Sequence, residues 1–322
     1  MKLFYKSALL LLGAVVFFGG AGLVATWAPD RPVTELAARW APPPSKFIPL
    51  LGQQVHVRDE GPRDTGAPGT PESALPIVLL HGTSASLHTW EGWARELRGG
   101  RRVVSFDLPG FGLTGPNPEN DYSIATYVKF VTAMVDSLGI QRFVLAGNSL
   151  GGQIAWATAA ALPDRVARLI LVDASGYGVD TRNAPLGFIL AGLPVARDVM
   201  VYTLPRGIVE ASVRSVYGQP DKVTPELVDL YVDMTLRAGN RKALSRRIDQ
   251  GYTGDVAQLK ALRMPTLILW GGRDQLIPPD HGQRFASDIV GSKLVVFDDL
   301  GHVPHEEDPA RTVAQVKSFL AN

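Results

Sequence analysis

Phe143-Val144-Leu145-Ala146-Gly147-Asn148-Ser149-Leu150-Gly151-Gly152 is the stretch from which the rest of the chain can be read. Four apolar residues make a short buried strand, glycines bracket a serine, and Gly151 to Leu162 has the length and apolar content of a helix. A G-x-S-x-G run between strand and helix describes a nucleophile elbow: the glycines let a sharp turn close, and the serine is held exposed in a strained conformation. The five-residue pattern alone is weak, and its place between strand and helix is what gives it meaning. Capping of the following helix is the plainer role for Ser149.

Outward from the elbow, short apolar runs recur at helical separations: Ile77 to Leu80, Val103 to Phe106, Leu169 to Val172, Thr266 to Trp270 and Leu294 to Phe297. Continuous aliphatic runs separated by amphipathic segments are what a buried parallel sheet with crossover helices requires. The spacing predicts helices over Leu87 to Leu97, Ile124 to Leu138, Gly151 to Leu162, Asp280 to Ile289 and Pro309 to Leu320, so the fold class is α/β. Phe47 to Leu51 and Gln54 to Arg58 read as two strands about Gly52. The alternation stops between Val172 and Thr266. Residues 176–256 read as helices there, Thr224 to Leu236 most clearly, and are expected to form a cap inserted over the open end of the sheet.

A serine hydroxyl needs a base, and the base needs a third group to fix its tautomer. Asp274 lies in Gly271-Gly272-Arg273-Asp274 after the strand ending at Trp270, and His302 follows Gly301 after the strand ending at Phe297. Loops at the carboxyl edge of a parallel sheet converge on one place, which brings Ser149, Asp274 and His302 together. Two residues compete: Asp173, at the end of Leu169 to Val172, for the acid, and His305, three residues after His302, for the base. A His302-x-x-His305-Glu306 metal site lacks the helical context and i, i+4 spacing such sites use, so no metal is expected. His81 reads as a loop hydrogen-bonding residue, Asp107 before Pro109-Gly110 as loop structure, and Trp90, Trp93 and Trp156 as core.

Taken together, the elbow, His81-Gly82, Asp107-Leu108-Pro109-Gly110-Phe111-Gly112, Gly272-x-Asp274 and Gly301-His302-x-Pro304-x-x-Glu307 resemble the α/β-hydrolases, from about Phe47 to the C-terminus. The resemblance implies a mostly parallel, doubly wound sheet with a helical cap, a triad in the order Ser149, Asp274, His302, an oxyanion hole from the backbone N–H groups of Thr83 and Leu150, and no cofactor. Within that superfamily the chain also resembles the meta-cleavage-product hydrolases, which cut carbon–carbon bonds. It departs from them where they carry Gly-Pro-Gly after His-Gly and Trp after the catalytic histidine, since here stand Thr83-Ser84-Ala85 and Val303. A carboxylic-ester hydrolase acting on small or medium apolar acyl groups is therefore expected first, carbon–carbon hydrolysis second, and a membrane-tethered ligand-binding or receptor module third.

Composition sets the outer limits. With 32 Lys and Arg against 31 Asp and Glu there is no field to hold a polyanion, so nucleic acid is excluded as a partner and a small ester or related carbonyl compound is expected. The 322 residues contain no cysteine, which excludes disulfides and thiol catalysis. Ser7 to Ala28 is an uncharged run of 22 residues after Lys2 and Lys6. At about 1.5 Å per residue it reaches across a hydrocarbon core of roughly 30 Å. Residues 1–28 are thus expected to be a transmembrane anchor, or else a cleaved signal, and the flanking lysines favour a catalytic domain on the non-cytoplasmic side. Pro29, Pro32 and Pro42-Pro43-Pro44 predict a stiff, extended connector over residues 29–46, followed by the hydrolase domain over 47–322.

Overall fold

The computed structural model describes residues 22, 24–63, 66–67, 69–178, 184–251 and 253–321. Eight strands form one sheet: β1 (Lys46–Leu50), β2 (Gln53–Glu60), β3 (Ile77–Leu80), β4 (Val103–Phe106), β5 (Phe143–Asn148), β6 (Val166–Val172), β7 (Thr266–Gly271) and β8 (Lys293–Phe297). Their spatial order is β1-β2-β4-β3-β5-β6-β7-β8. β2 pairs antiparallel with both β1 and β4, and every other pairing is parallel.

From Val33 onward the α-helices among the described residues are, in chain order, α1 (Val33–Trp40), α2 (Glu91–Leu97), α3 (Ile124–Ser137), α4 (Leu150–Ala161), α5 (Leu186–Gly192), α6 (Pro194–Met200), α7 (Arg206–Ser215), α8 (Pro225–Leu236), α9 (Asn240–Gln250), α10 (Pro279–Asp288), α11 (Pro304–Glu307) and α12 (Pro309–Ala321). Strand side chains alternate between two cores. Ile77, Leu79, Val144, Ala146, Ile170, Val172, Leu267 and Leu269 meet Trp93 of α2 and Val313 and Val316 of α12. Val78, Leu80, Leu145, Leu169, Leu171, Ile268 and Trp270 meet Phe130 and Met134 of α3, Ile154 of α4 and Phe285 of α10. Helices on both faces explain why these strands are apolar at every position rather than at every second one.

Helices α5 to α9 occupy the interval between β6 and β7, and part of this block has a core of its own, Val209, Val213, Tyr217, Val228 and Leu236, which closes on Val303. Thr224 caps α8 by accepting from the Leu227 N–H at 3.2 Å.

Two expectations need correction. Residues 29–46 do not form an extended connector, because α1 lies within them and docks on the cap with Leu36 buried against Leu113, Leu230 and Met234. Val33, Leu36 and Trp40 fall on one helical face, and that burial outweighs the bias of the flanking prolines. The segment expected as one helix over Leu87 to Leu97 begins as a 3₁₀ turn, Leu87–Trp90, with the Leu87 N–H held at 2.7 Å by the Asp107 carboxylate. The expected membrane-spanning run lies outside the described residues except for Gly22 and Val24 to Ala28, and among the described residues no helix is long and apolar enough to cross a membrane.

Candidate active site

β5 ends at Asn148 and α4 begins at Leu150, so Ser149 alone makes the turn, at φ 53° and ψ −117°. A non-glycine residue in this region stores strain on the order of 1–3 kcal/mol and persists only where its surroundings hold it. Here the Ser149 N–H donates to the Val172 carbonyl at 3.1 Å, and its carbonyl accepts from Gln153 and Ser175, both at 3.0 Å. The neighbouring glycines are required by contact: a Cβ on Gly151 would lie 2.2 Å from the Leu80 carbonyl oxygen, and one on Gly147 would lie 2.1 Å from that of Gly151. Gly151→Ala is therefore expected to lower unfolding free energy by about 3 kcal/mol, an overpacking cost read from the midpoint of urea denaturation.

The three residues expected as a triad come from separate strand ends. Asp274 follows β7 and accepts three hydrogen bonds: the Leu276 and Ile277 N–H groups at 2.8 and 2.9 Å on Oδ1, and His302 Nδ1 at 2.6 Å on Oδ2. His302 follows β8 and faces the same cavity as Ser149. Nδ1, when it donates to Asp274, leaves Nε2 as the ring's basic nitrogen. Asp173, the rival acid, is fully buried in a left-handed conformation with φ 43°, and its Oδ1 accepts from the Gly271 N–H at 2.8 Å. Burial, and then the neighbouring charge of Asp274, push its carboxyl well above the usual range, which favours the protonated form at Asp173.

Asp173, Asp274 and His302 bring oxygen and nitrogen atoms within 4.8 Å of one another. Asp274 engages both oxygens, and His302 one nitrogen, with protein partners. His305 is directed elsewhere: its ring lies 4.0 Å from that of Trp90, centroid to centroid, and its Nε2 bonds Thr89 Oγ1 at 2.9 Å. Thr83 lines the cavity beside Ser149, and Leu150 opens α4, where its N–H has no acceptor within the helix. Gly82 brings the two loops together, since a Cβ there would sit 3.1 Å from the Ser149 Cβ.

Asn148 and Glu307, both within the quoted motifs, support this arrangement through partners that the motifs do not reveal. Asn148 Nδ2 donates to the carbonyls of Val172 at 3.1 Å and His302 at 3.0 Å, tying the elbow to the histidine loop. Glu307 accepts from the N–H groups of Gly301 at 2.8 Å, Gly218 at 3.0 Å and Gln219 at 2.7 Å, and His302 N–H donates to the Val216 carbonyl at 2.7 Å. The histidine loop is thereby fastened to the cap. The spacing of Glu307 from His302 is visible in the sequence, but two of its three N–H partners, on Gly218 and Gln219, lie almost ninety residues away.

Asp107 holds the loop around the site: it accepts from the N–H groups of Leu87 and Leu113, both at 2.7 Å, and from His56 Nδ1 at 2.8 Å. His81 Nε2 accepts from the Leu108 N–H at 2.9 Å, so Nδ1 carries the ring proton and donates to the Gly82 carbonyl at 2.7 Å. Burial lowers the pKa of His81 and of His305, and pushes that of His88 down to about 4. Each of these histidines is protonated more readily in the unfolded chain, where the ordinary value is about 6.5. Their contribution to stability is complete above that value and is lost as pH falls toward the folded value. The melting temperature is accordingly expected to drop by on the order of 5 °C between pH 6.5 and pH 4, measured by scanning calorimetry at constant ionic strength. A flat profile through that window would count against neutral burial of the three rings.

The cavity above Ser149 has a volume of about 120 Å³ and lies between the strand ends and the cap, with Phe188, Met200, Leu204 and Val213 among its apolar walls. Among the described residues, no Lys, Arg, Asp or Glu lines it.

Comparison with known proteins agrees with this architecture. A 2-hydroxy-6-oxo-2,4-heptadienoate hydrolase of Pseudomonas putida is 31% identical over 260 residues, which cover 76% of this chain and 89% of that protein. The structure of a meta-cleavage product hydrolase from Pseudomonas fluorescens IP01 superposes with a TM-score of 0.72 at 26% identity, covering 86% of this chain and 98% of that one. A thermophilic esterase from Thermogutta terrifontis superposes with a TM-score of 0.68 at 25% identity, over 86% and 97% of the two chains. Residues 77–316 match the family model described as the alpha/beta hydrolase family, and the chain belongs to that family.

Proposed function

We propose that this hydrolase cleaves carboxylic esters of small to medium apolar acyl groups, with Ser149 as nucleophile, His302 as general base and Asp274 as the residue that orients it. The observation carrying this reading is the Asp274–His302 pair at 2.6 Å, which opens on the same cavity as a serine held at φ 53°. His302 Nε2 takes the Ser149 proton as Oγ attacks the carbonyl carbon, and the oxyanion is received by the N–H groups of Thr83 and Leu150. Each such donor contributes on the order of 3 kcal/mol of transition-state stabilisation. His302 then gives its proton to the departing alkoxide, and water activated by the same ring releases the acid and restores Ser149. The chemistry calls for no metal or organic cofactor.

Carbon–carbon hydrolysis by the same triad is the second reading, favoured by the similarity to the two hydrolases of ring-fission chemistry. Against it stand a cavity whose described lining holds no cationic side chain to meet a dienoate carboxylate, and Thr83-Ser84-Ala85 and Val303 where those hydrolases carry Gly-Pro-Gly and Trp. The test is turnover of matched panels of p-nitrophenyl esters and ring-fission ketones, together with fluorophosphonate labelling. Preference for the ketones reverses the ranking. Absence of both turnover and labelling points instead to a ligand-binding module.

The run Ser7 to Ala28 suits a membrane anchor that places the hydrolase on the non-cytoplasmic side. Resistance of membrane-bound chain to carbonate extraction, with digestion by protease added from the non-cytoplasmic side, is the expected result.

A further inference from the structure

Two cap helices carry outer surfaces that no described residue buries. The segment Leu186 to Met200 reads Leu-Gly-Phe-Ile-Leu-Ala-Gly-Leu-Pro-Val-Ala-Arg-Asp-Val-Met, with charge only at Arg197 and Asp198, yet α6 buries no residue and α5 buries only Ala191. Ile189, Leu193, Val195 and Val199 stand in the open, Val195 at 80% exposure, and Trp27 and Tyr202 join them as exposed aromatics. Large apolar side chains exposed this densely along one segment mark an interaction site on a folded protein.

From these features we infer that the outer face of α5 and α6, with Trp27 and Tyr202, docks onto a lipid bilayer and turns the cap side of the cavity toward it. The inference rests on the membrane anchoring proposed above. Its first support is continuity. The last residues of the uncharged run are bonded to the end of this face: Ala28 N–H donates to the Tyr202 carbonyl at 2.9 Å, Leu204 N–H donates to the Thr26 carbonyl at 3.0 Å, and the Trp27 and Tyr202 rings stack at 5.7 Å. Where the run leaves the hydrocarbon, these residues are at the interface with it, which is where tryptophan and tyrosine are favoured.

Charge agrees with this placement. α9 lies beside the two helices, with Gly192 packed near Ile248, and Arg197 bonded to Asp249 at 2.8 Å, and it carries exposed Lys242 and Arg246 one turn apart. Basic side chains flanking an apolar face suit anionic headgroups. The inner sides of the same helices, at Phe188 and Met200, wall the cavity. An apolar ester dissolved in the bilayer therefore has a short path to Ser149.

The chain lacks cysteine, so Val195→Cys in the full-length protein takes a single environment-sensitive fluorophore, with Val290→Cys, at an 83% exposed position between α10 and β8, as the control. In vesicles of phosphatidylcholine and phosphatidylglycerol, the label at 195 is expected to lose about half its emission to spin-labelled lipid, as for a face seated at the headgroup–acyl boundary. It should also be shielded from iodide, whereas the label at 290 remains open to iodide alone. Vesicle-bound chain with both labels equally open to iodide overturns the inference and leaves the anchor standing. Shielding at 195 from both quenchers also overturns it, because protein, a second copy or the N-terminal run, then covers the face. Chain that stays in the supernatant overturns the anchor and this inference together. None of these readings depends on ester turnover.

Discussion

Ser149→Ala is expected to reduce kcat/KM for a short p-nitrophenyl ester by about a million-fold and to abolish fluorophosphonate labelling, the scale seen when a triad nucleophile is removed. The physical reason is local. The strained turn aims this side chain into the cavity that His302 also faces, and alanine offers no oxygen to attack the carbonyl. Structural damage is a poor rival explanation for such a loss, because the bonds that hold the turn, to Val172, Gln153 and Ser175, are made by backbone atoms that alanine retains. The melting temperature of the variant should stay within about 2 °C of the parent, because alanine keeps the Cβ and the backbone bonds of the turn and carries the same strain at φ 53°. Residual turnover within tenfold of the parent, or persistent labelling, would remove Ser149 from the chemistry and with it the proposed mechanism.

The second large effect separates two neighbouring acids. Asp274→Asn should lower kcat by about 10⁴-fold, because an amide facing His302 Nδ1 presents the ring with the wrong tautomer. Asp173→Asn should cost less than about tenfold, since asparagine imitates the protonated acid that burial and Asp274 favour at that position. Its carbonyl oxygen can still accept from the Gly271 N–H, as the Asp173 Oδ1 does at 2.8 Å. The measurement is kcat for both variants across pH 6 to 9, with near-ultraviolet circular dichroism as the check on folding. A reversed order, with Asp173→Asn the more damaging, would transfer the acid's role to Asp173 and is incompatible with Asp274 holding His302.

Much of the framework was legible along the chain because it depends on local spacing. β3 and β4 begin and end where the apolar runs Ile77 to Leu80 and Val103 to Phe106 do. β1 is shifted by one residue and the other strands extend their runs by one to three, where Gly147, Asn148 and Gly271 continue hydrogen bonding without adding apolar character. The reading of residues 29–46 failed for an opposite reason. Proline content argues for an extended chain, but three apolar residues at helical spacing found a partner surface on Leu230 and Met234, about two hundred positions further on. No local rule reveals such a partner.

The proposed triad shows the same division. Its membership could be narrowed by order and by position after successive strands, because a parallel sheet delivers every strand's C-terminal loop to one edge whatever the side chains are. The choices between Asp274 and Asp173, and between His302 and His305, turn on angstrom-scale placement: 2.6 Å from Asp274 to one histidine, and a Trp90 ring against the other. Asn148 and Glu307 gain their meaning in the same way, through backbone partners supplied by distant loops. Periodicity and turn chemistry are properties of neighbouring residues and are written in the order of amino acids. Hydrogen-bond partners, burial and the pKa values that follow from them belong to groups brought together from remote positions, and they exist only once the sheet and cap have closed around Ser149.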